Sequence, residues 1–409
     1  MAITSVKEAH ATIRRNIKKT GFEKIHLKQT SGRTLAKNLL ACFPQPRFDN
    51  SAMDGFAVRA EDTLEADNNF PAKLFLKGVI AAGETPTFEI LAGECCQIMT
   101  GAKIPIGANA VVKVEDTSGF KTKDVVEIFS EAKVGKNIRY EGEEISNGDT
   151  LLDAGTLLGP GELGIAASFG YNEIEVYRKP KISIFATGDE LVEPGLRLED
   201  GQIYNSNLHI FEELSQKMGA DIINAEILKD DKGSLITFLS DSLKNSHLIV
   251  SSGGVSMGKY DYVRDALLEL GVKEHFWRVA QKPGGPFFFG TKKDVMIFGL
   301  PGNPVSSFIC FMEYVWSSCE LMSGRNPMKK IIAVLDKSFP RDGFKHRFLT
   351  GVVREHQGEL IVSPSKKIGS HMLSSFLGSN AIIEAPPGKS SLGPGAPVVV
   401  SLLPWCDLY

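Results

Sequence analysis

Between Lys179 and about Met328 the chain alternates short apolar runs with amphipathic segments, and this alternation constrains the fold more than any other sequence feature. Runs such as Ile182–Ala186 and His247–Ser251 have the length and composition of buried strands. The segment Asn207–Met218, in contrast, places apolar residues at helical spacing. Strands that alternate with helices predict a parallel-rich sheet with helices on both faces. We therefore expect an α/β domain here.

The flanking segments predict other structures. A capping box of Ser5 and Glu8 opens an amphipathic helix that we expect to end near Gly21. From about Phe48 to Tyr140, short β-prone runs separated by turn residues predict a small β domain. Similar runs after Met328 predict a C-terminal β-barrel or sandwich. A chain of 409 residues has room for two to four domains.

Composition excludes several classes of protein. With 46 Lys plus Arg against 49 Asp plus Glu, the chain has no overall charge that would draw it to nucleic acid or to an anionic membrane. The six cysteines form no C-x-x-C pair, which favours a reducing compartment over a disulfide framework or a zinc site. The sequence also has no signal-peptide pattern and no long apolar run. We expect a cytoplasmic protein that binds neither nucleic acid nor membrane.

A glycine-rich segment, Ser252–Lys259, follows one predicted strand and precedes a helix. It contains G-x-x-x-x-G-K, but Tyr260 stands where a phosphate-binding P-loop needs Ser or Thr to hold Mg²⁺. A true P-loop is therefore disfavoured. Backbone N–H groups in such a turn can still bind phosphate, although an ordinary tight turn also fits.

Two more turns follow strands of the same predicted sheet. Thr187–Glu190 offers an acidic pair that could hold a hard cation such as Mg²⁺. In Gly299–Pro304, Asn303 fits a helix N-cap and Pro304 the first helical position. Each turn alone is equally compatible with simple turn chemistry. Because parallel strands end at one edge of a sheet, the three turns together indicate a phosphorylated anionic ligand with a divalent cation.

Sequence motifs outside this region complete a recognisable set. No Ser-His-Asp order, H-E-x-x-H or G-x-G-x-x-G pattern is present, so hydrolase, zinc-protease and dehydrogenase chemistry lack support. The motifs of the chain, in order, are SAMDG at 51–55, MTGA at 99–102, NIR at 137–139, ATGDEL at 186–191, SSGGVSMGKYDYV at 251–263, KPG at 282–284 and GLPGNPVS at 299–306. With these motifs the chain resembles the molybdopterin molybdenumtransferase family, to which the E domain of gephyrin is similar.

The resemblance implies a multidomain α/β plus β fold and a homodimer. The α/β domain, 179–328, would be molybdopterin-binding-like with a parallel-rich sheet. An elongated split domain would combine 1–45 with 141–178, an inserted β domain would span 46–140, and a C-terminal β-barrel would span 329–409. The site is expected where the α/β domain of one subunit faces the β domain of the other.

By the same resemblance, the reaction inserts molybdate into adenylylated molybdopterin and releases AMP in a Mg²⁺-dependent step. Transient contacts with other cofactor-biosynthesis proteins are also expected. The catalytic residues implied are Asp54, Thr100, Glu190 and Asp261. The metal-binding carboxylates implied are Glu190, Asp261 and the acidic pair Asp230 and Asp231. The substrate-binding residues implied are Arg139, Glu144, Ser252, Gly253, Gly254, Ser256, Arg278, Lys282, Pro301, Gly302, Asn303 and Pro304.

The chain departs from the family pattern at two positions. Gly285 stands where the family commonly has a second lysine, so one basic contact is missing and anion affinity would have to come from elsewhere. Glu144 replaces an aspartate, which keeps the charge but moves the carboxylate by one methylene. Two alternative functions stay open from the sequence: a molybdopterin adenylyltransferase-type step and a non-catalytic scaffold.

Overall fold

The computed structural model describes residues 3–121, 124–254 and 262–406, which form two compact units. The larger unit contains Met1–Lys37, Gly155–Gly159 and Glu173–Tyr409. The smaller unit contains Asn38–Ala154 and Pro160–Asn172. A further division at the four-domain boundaries given above stays a prediction. Within the residues that the structure describes, no helix combines the length and the apolar character needed to cross a membrane.

The centre of the larger unit is a six-stranded sheet with helices on both faces, which confirms the predicted α/β architecture. Four neighbouring strands run parallel, and two antiparallel strands that the sequence pattern did not indicate extend one edge. In spatial order the strands are Asp221–Leu228, Lys181–Thr187, Leu248–Ser252, Val295–Leu300, Pro286–Lys292 and Lys273–Arg278. A short parallel pair of strands, Leu191–Val192 with Ile203–Tyr204, follows strand Lys181–Thr187 in the chain.

Alternate residues of the central strands belong to two separate cores, because successive side chains of a strand point to opposite faces of the sheet. Ile184 belongs to the core that contains helix Asn207–Lys217, and Phe185 to the core that contains helices Lys232–Asn245 and Tyr262–Glu269. Burial on both faces explains why the central strands Lys181–Thr187, Leu248–Ser252 and Val295–Leu300 are mostly apolar in sequence.

A long helical segment follows the last parallel strand. It consists of an α-helix, Pro304–Cys310, a π-helical stretch, Phe311–Trp316, and a second α-helix, Ser317–Met322. The segment is buried on almost every side, which fits its apolar composition. The N-terminal helix, Val6–Asn16, packs into the same core through its apolar face.

The N-terminal helix has the predicted capping box, because Ser5 Oγ accepts from the Glu8 N–H and the Glu8 carboxylate accepts from the Ser5 N–H. The helix nevertheless ends at Asn16, several residues before the predicted end near Gly21. Thr20 is engaged elsewhere, since its N–H donates to Met322 O at 3.0 Å. Strand Phe22–His26 then pairs antiparallel with Glu173–Tyr177.

The C-terminal part of the larger unit is a closed β-barrel, as predicted. Strand His346–His356 pairs with both Glu359–Pro364 and Ala381–Ala385, which closes a ring of five strands. The remaining ring strands are Ile331–Leu335 and Pro397–Leu402, and a short 3₁₀ turn covers Leu373–Ser375. The two-residue strand Gln281–Lys282 adds to this barrel, although it lies in the α/β part of the sequence.

The smaller unit contains the predicted inserted β domain. Its five-stranded sheet has the order Ala110–Lys113, Gly55–Val58, Glu94–Ile98, Ala72–Ile80 and Val125–Ile128. The unit also contains two short antiparallel pairs and a helix. These are Asn50–Ser51 with Ile138–Arg139, Leu39–Leu40 with Thr150–Leu152, and helix Pro160–Ser168.

A buried network of charges joins three elements of the larger unit. Lys330 Nζ lies 2.9 Å from a carboxylate oxygen of Glu313 and 2.9 Å from one of Glu384. His10, on the N-terminal helix, approaches Glu313 at 3.6 Å. Burial alone would raise the pKa of Glu313, but the neighbouring His10 and the charge of Lys330 lower it to about 2. The ionised Glu313 is therefore favoured in the folded state.

This shift predicts an acid-sensitive contribution to stability. The contribution of Glu313 is complete above its ordinary pKa of 4.5 and is lost as the pH falls toward about 2. We expect Glu313→Gln to lower the melting temperature at neutral pH and the deficit to shrink as the pH falls through this window. Thermal unfolding against pH measures this, with exposed Glu355→Gln as the control. A deficit that stays constant across the window would contradict it.

Candidate active site

A large cleft opens in the larger unit where the parallel strands end. Its volume is about 1020 Å³, at the upper limit of the ~300–1,000 Å³ class of pockets that enclose whole ligands. Its walls include residues directly after strands Lys181–Thr187, Leu248–Ser252 and Val295–Leu300. The cleft is thus where the sequence pattern predicted a ligand. Of the predicted site residues it gathers Glu190, Ser252, Gly253, Gly254, Lys282, Pro301, Gly302, Asn303 and Pro304.

The glycine-rich turn needs glycine at two successive positions. Gly253 and Gly254 have φ of 88° and 68°, in the left-handed region that side chains rarely adopt. A Cβ on Gly254 would also lie 2.3 Å from the side chain of Val263. The turn therefore brings backbone close to neighbouring elements and lines the cleft with main-chain groups. Ser256 and Asp261, further along this segment, lie outside the described residues.

Asn207 links two of the three turns. Its Nδ2 donates to Ser252 Oγ and to Gly302 O, both at 2.7 Å. Among the described residues, its Oδ1 and the Nδ2 of Asn205 are buried without a hydrogen-bond partner, and both residues line the cleft. Buried amide atoms without partners are costly, so a ligand in the cleft could satisfy them. Neither asparagine was predicted from sequence to belong to the site.

The third turn has the predicted backbone geometry but a different side-chain contact. Asn303 occupies the N-cap position and Pro304 starts the helix. The Asn303 side chain does not cap the helix; its Nδ2 donates instead to Ser370 Oγ at 3.1 Å. Ser370 belongs to the C-terminal part of the chain, so this bond ties the turn to the opposite wall of the cleft.

Three cationic residues line the cleft, and only Lys282 was assigned from sequence. Lys282 pairs in register with Arg347, and Lys345 lies two residues before it. Arg347 is only 6% exposed, and its Nε has no hydrogen-bond partner among residues 3–121, 124–254 and 262–406. Burial lowers the pKa of the Arg347 guanidinium, and the nearby Asp342 charge acts in the opposite direction. A buried guanidinium and two lysines make this wall suited to an oxyanion.

The loop that carries Lys282 rests on a buried hydrogen-bond network. Gln281 is 1% exposed, and its Nε2 donates to Pro283 O at 3.2 Å and to Cys310 Sγ at 3.3 Å. The Tyr314 hydroxyl donates to Gln281 Oε1. The network fixes the loop against the long helical segment. Burial raises the pKa of the Cys310 thiol, so this sulfur stays protonated.

The predicted acidic residues are spread over different environments. Glu190 lines the cleft, and its exposed carboxylate makes no hydrogen bond or ion pair within the described part of the chain. Asp231 instead caps helix Lys232–Asn245, with Oδ1 accepting from Ser234 N at 2.9 Å. Hydrogen bonds from Ser234 lower the pKa of Asp231. The Asp230 N–H donates to Asp189 Oδ1 at 3.4 Å, and neither Asp230 nor Asp231 lines the cleft.

The cleft offers few carboxylate ligands for Mg²⁺ within the described residues. Among the described residues, no group of three or more His, Cys, Asp or Glu side chains is placed to hold a metal ion. Mg²⁺ is usually held by one or two carboxylates together with substrate phosphates and water. The exposed Glu190 carboxylate, in a cleft with a cationic wall, fits an arrangement in which one carboxylate holds the ion together with substrate phosphates and water.

In the smaller unit, three motif segments meet in one place. Thr100 donates to Asp54 Oδ1 from both its N–H and its hydroxyl, each at 2.7 Å, and these bonds lower the pKa of Asp54. The Gly101 N–H donates to Ser51 O at 2.8 Å, and strand Ile138–Arg139 pairs with Asn50–Ser51. The segments SAMDG, MTGA and NIR thus form one cluster.

Two more predicted residues lie outside these clusters. The Glu144 N–H donates to Gln45 O at 3.1 Å, in the smaller unit. Arg278 ends the edge strand Lys273–Arg278, its guanidinium lies over the Trp277 ring, and it does not line the cleft.

Comparison with known families covers nearly the whole chain. Residues 4–170 match the MoeA N-terminal region (domain I and II), 183–319 a probable molybdopterin binding domain, and 333–403 the MoeA C-terminal region (domain IV). Curated molybdopterin molybdenumtransferases from Haemophilus influenzae and Bacillus subtilis are 33% and 32% identical to it. Each alignment covers 93% of this chain, and 94% and 90% of the relatives. The chain belongs to the molybdopterin molybdenumtransferase family.

Solved structures of the family agree with this fold. Two crystal structures of a molybdopterin biosynthesis MoeA protein from Pyrococcus horikoshii match 98% of this chain, with TM-scores of 0.85 and 0.82. Their sequence identities are 30% and 29%, and 99% and 100% of those chains are covered. The multidomain α/β plus β architecture of this chain is therefore shared with solved relatives.

The family's second lysine can be restored in the cleft. A Cβ on Gly285 would lie 3.3 Å from Gln281 O and 3.5 Å from Val279 O, so a side chain fits after a small adjustment. We expect Gly285→Lys to tighten molybdate binding by about two- to fivefold, the effect of ~0.5–1 kcal/mol from one solvated cation. Equilibrium titration measures this. Gly285→Gln is the uncharged control, and equal affinities for the two variants would contradict the prediction.

Proposed function

We propose that this chain inserts molybdenum during molybdenum cofactor biosynthesis, taking adenylylated molybdopterin and molybdate as substrates. In this reaction water attacks the phosphoanhydride of the adenylylated substrate, the P–O bond breaks, AMP leaves, and the pterin keeps its own phosphate. Molybdenum exchanges two of its oxygen ligands, which leave as water with the thiol protons, for the two dithiolene sulfurs. The observation that carries the proposal is the convergence on one cleft of the cationic wall, the glycine-rich turns and the free Glu190 carboxylate. Phosphoanhydride cleavage needs groups of this kind to position phosphates and offset their charge.

Each wall of the cleft has a separate role in this proposal. Lys282, Lys345 and Arg347 hold oxyanions of molybdate or of the substrate phosphates through charge-assisted hydrogen bonds. Main-chain groups at Gly253 and Gly254 approach the ligand closely because no side chain intervenes. The unpartnered amide atoms of Asn205 and Asn207 supply one donor and one acceptor for the remainder of the ligand.

Mg²⁺ is the proposed metal, and Glu190 is the residue that would hold it together with substrate phosphate oxygens. Bound there, the ion would offset charge that develops on the phosphates as the anhydride breaks. We also propose a homodimer, which light scattering after size-exclusion chromatography would test directly.

A binding and turnover experiment separates this function from the adenylyltransferase alternative. We expect adenylylated molybdopterin to bind the purified protein. In a second mixture of protein, molybdopterin, ATP and Mg²⁺ without molybdate, we expect no consumption of ATP. Adenylylation of molybdopterin under those conditions would instead support the adenylyltransferase step. No binding of either pterin would favour a scaffold and would contradict the proposal.

A further inference from the structure

The larger unit contains a second polar cavity, which shares no lining residue with the active-site cleft. We call it the basic cleft. Its volume is about 170 Å³, and it lies between the loop Ser31–Thr34 and the segment Tyr177–Lys179. Gly219, after helix Asn207–Lys217, and residues 323 and 325, after the long helical segment, complete its lining.

The lining of the basic cleft is cationic. Arg33, Arg178, Lys179 and Arg325 line it, and no Asp or Glu does. Glu23 offsets Arg33 at 2.5 Å, and Asp221 lies 3.7 Å from Lys179. Arg178 and Arg325 form no ion pair with any carboxylate in the described part of the chain. Carboxylates therefore offset the positive charge of the cleft only in part, through Glu23, Asp221 and the charge of Glu320 near Arg325.

A buried donor in the basic cleft lacks an acceptor. Arg325 Nη2 donates to Met218 O at 2.6 Å, which accounts for its position at the end of helix Asn207–Lys217. This contact leaves Nε unexplained, because Nε is buried and has no hydrogen-bond partner in the part of the chain that the structure describes. A buried guanidinium N–H without an acceptor is costly, and an anion in the adjoining cavity would remove that cost.

The size of the cavity limits the ligand. A volume of 170 Å³ corresponds to about five or six waters at ~30 Å³ each, and it is smaller than the ~300 Å³ needed to enclose a drug-sized molecule. Four cations, three of them planar guanidinium groups, suit an oxyanion that accepts several hydrogen bonds at once. We propose that the basic cleft is a second binding site, which takes a tetrahedral oxyanion such as inorganic phosphate. The bound ion joins the segments that line the cleft and so stabilises the folded unit.

The test is an equilibrium titration with inorganic phosphate on the full chain. We expect two classes of site in the wild type. Arg178→Gln should weaken phosphate binding at one class by about tenfold or more, the effect of losing one charge-assisted contact. Arg178 is exposed, so the fold should tolerate this change, and Lys179→Gln provides a second variant. Arg197→Gln, an exposed arginine outside both clefts, is the matched control.

Arg347→Met distinguishes the two clefts. It should weaken the class of site that Arg178→Gln leaves intact, and Arg178→Gln should keep full AMP release. Crystals soaked in tungstate should show an ion in the basic cleft of the wild type and none there in Arg178→Gln. Two intact classes of site in Arg178→Gln, or no ion in the cleft of the wild type, would overturn the proposal. Neither result would bear on the proposed molybdenum insertion.

Discussion

Glu190→Gln should lower the rate of AMP release by about 10²–10³-fold, the usual cost of removing one electrostatic group at a reacting centre. The Glu190 carboxylate lines the active-site cleft and has no partner within the described residues, so it is free to act on a bound ligand or its metal. Glutamine keeps nearly the same shape and removes only the charge. The rate under saturating substrate measures the effect.

Stability gives the control for this substitution. The Glu190 side chain is exposed and makes no hydrogen bond or ion pair within the described residues. The Glu190→Gln variant should therefore have the melting temperature of the wild type. Glu199→Gln is the matched control. Glu199 is also exposed but, unlike Glu190, does not line the cleft, so this variant should keep the wild-type rate. A Glu190→Gln variant that keeps most of the wild-type rate would show that this carboxylate does not serve the reaction.

Arg347→Met should separate binding from stability. Loss of a hydrogen-bonded charge costs about 1.5–3 kcal/mol, so molybdate affinity should fall about 10- to 150-fold. The fold should be as stable as the wild type or more so, because methionine removes a buried charge whose Nε has no partner. Titration with molybdate and thermal unfolding measure the two effects.

Arg354→Met is the matched control on the same strand. Arg354 donates to Ser363 Oγ and to Asp336 and does not line the cleft. Its loss should therefore leave molybdate binding unchanged. Unchanged affinity in Arg347→Met, or a loss equal to that of Arg354→Met, would remove Arg347 from the anion-binding wall.

Much of the fold follows from local patterns. The alternation of apolar runs with amphipathic segments predicted the four parallel strands and their helices, because burial on both faces leaves a continuous apolar signature. The two antiparallel strands Lys273–Arg278 and Pro286–Lys292 were not predicted. The first mixes charged and aromatic residues, and the second contains the run Phe287–Phe289, so neither shows clean alternation.

The candidate site was predictable only in part. Turns that follow parallel strands meet by geometry, so Glu190, Gly253 and Asn303 could be placed from sequence. Arg347 could not, because it enters the cleft through a two-residue pairing with Lys282, across a long separation in the chain. Asp231 was expected to bind the metal, but it caps a helix in the structure. The sequence does not separate the two roles, because an acidic residue before a helix serves equally well as an N-cap.

The central claim is that this chain inserts molybdenum into adenylylated molybdopterin. The most direct test is one reaction containing that substrate, molybdate and Mg²⁺, in which AMP release and cofactor formation are followed together. The account predicts that both products form in equal amounts and that omitting molybdate abolishes cofactor formation. No cofactor from a folded protein that binds the adenylylated substrate would contradict it.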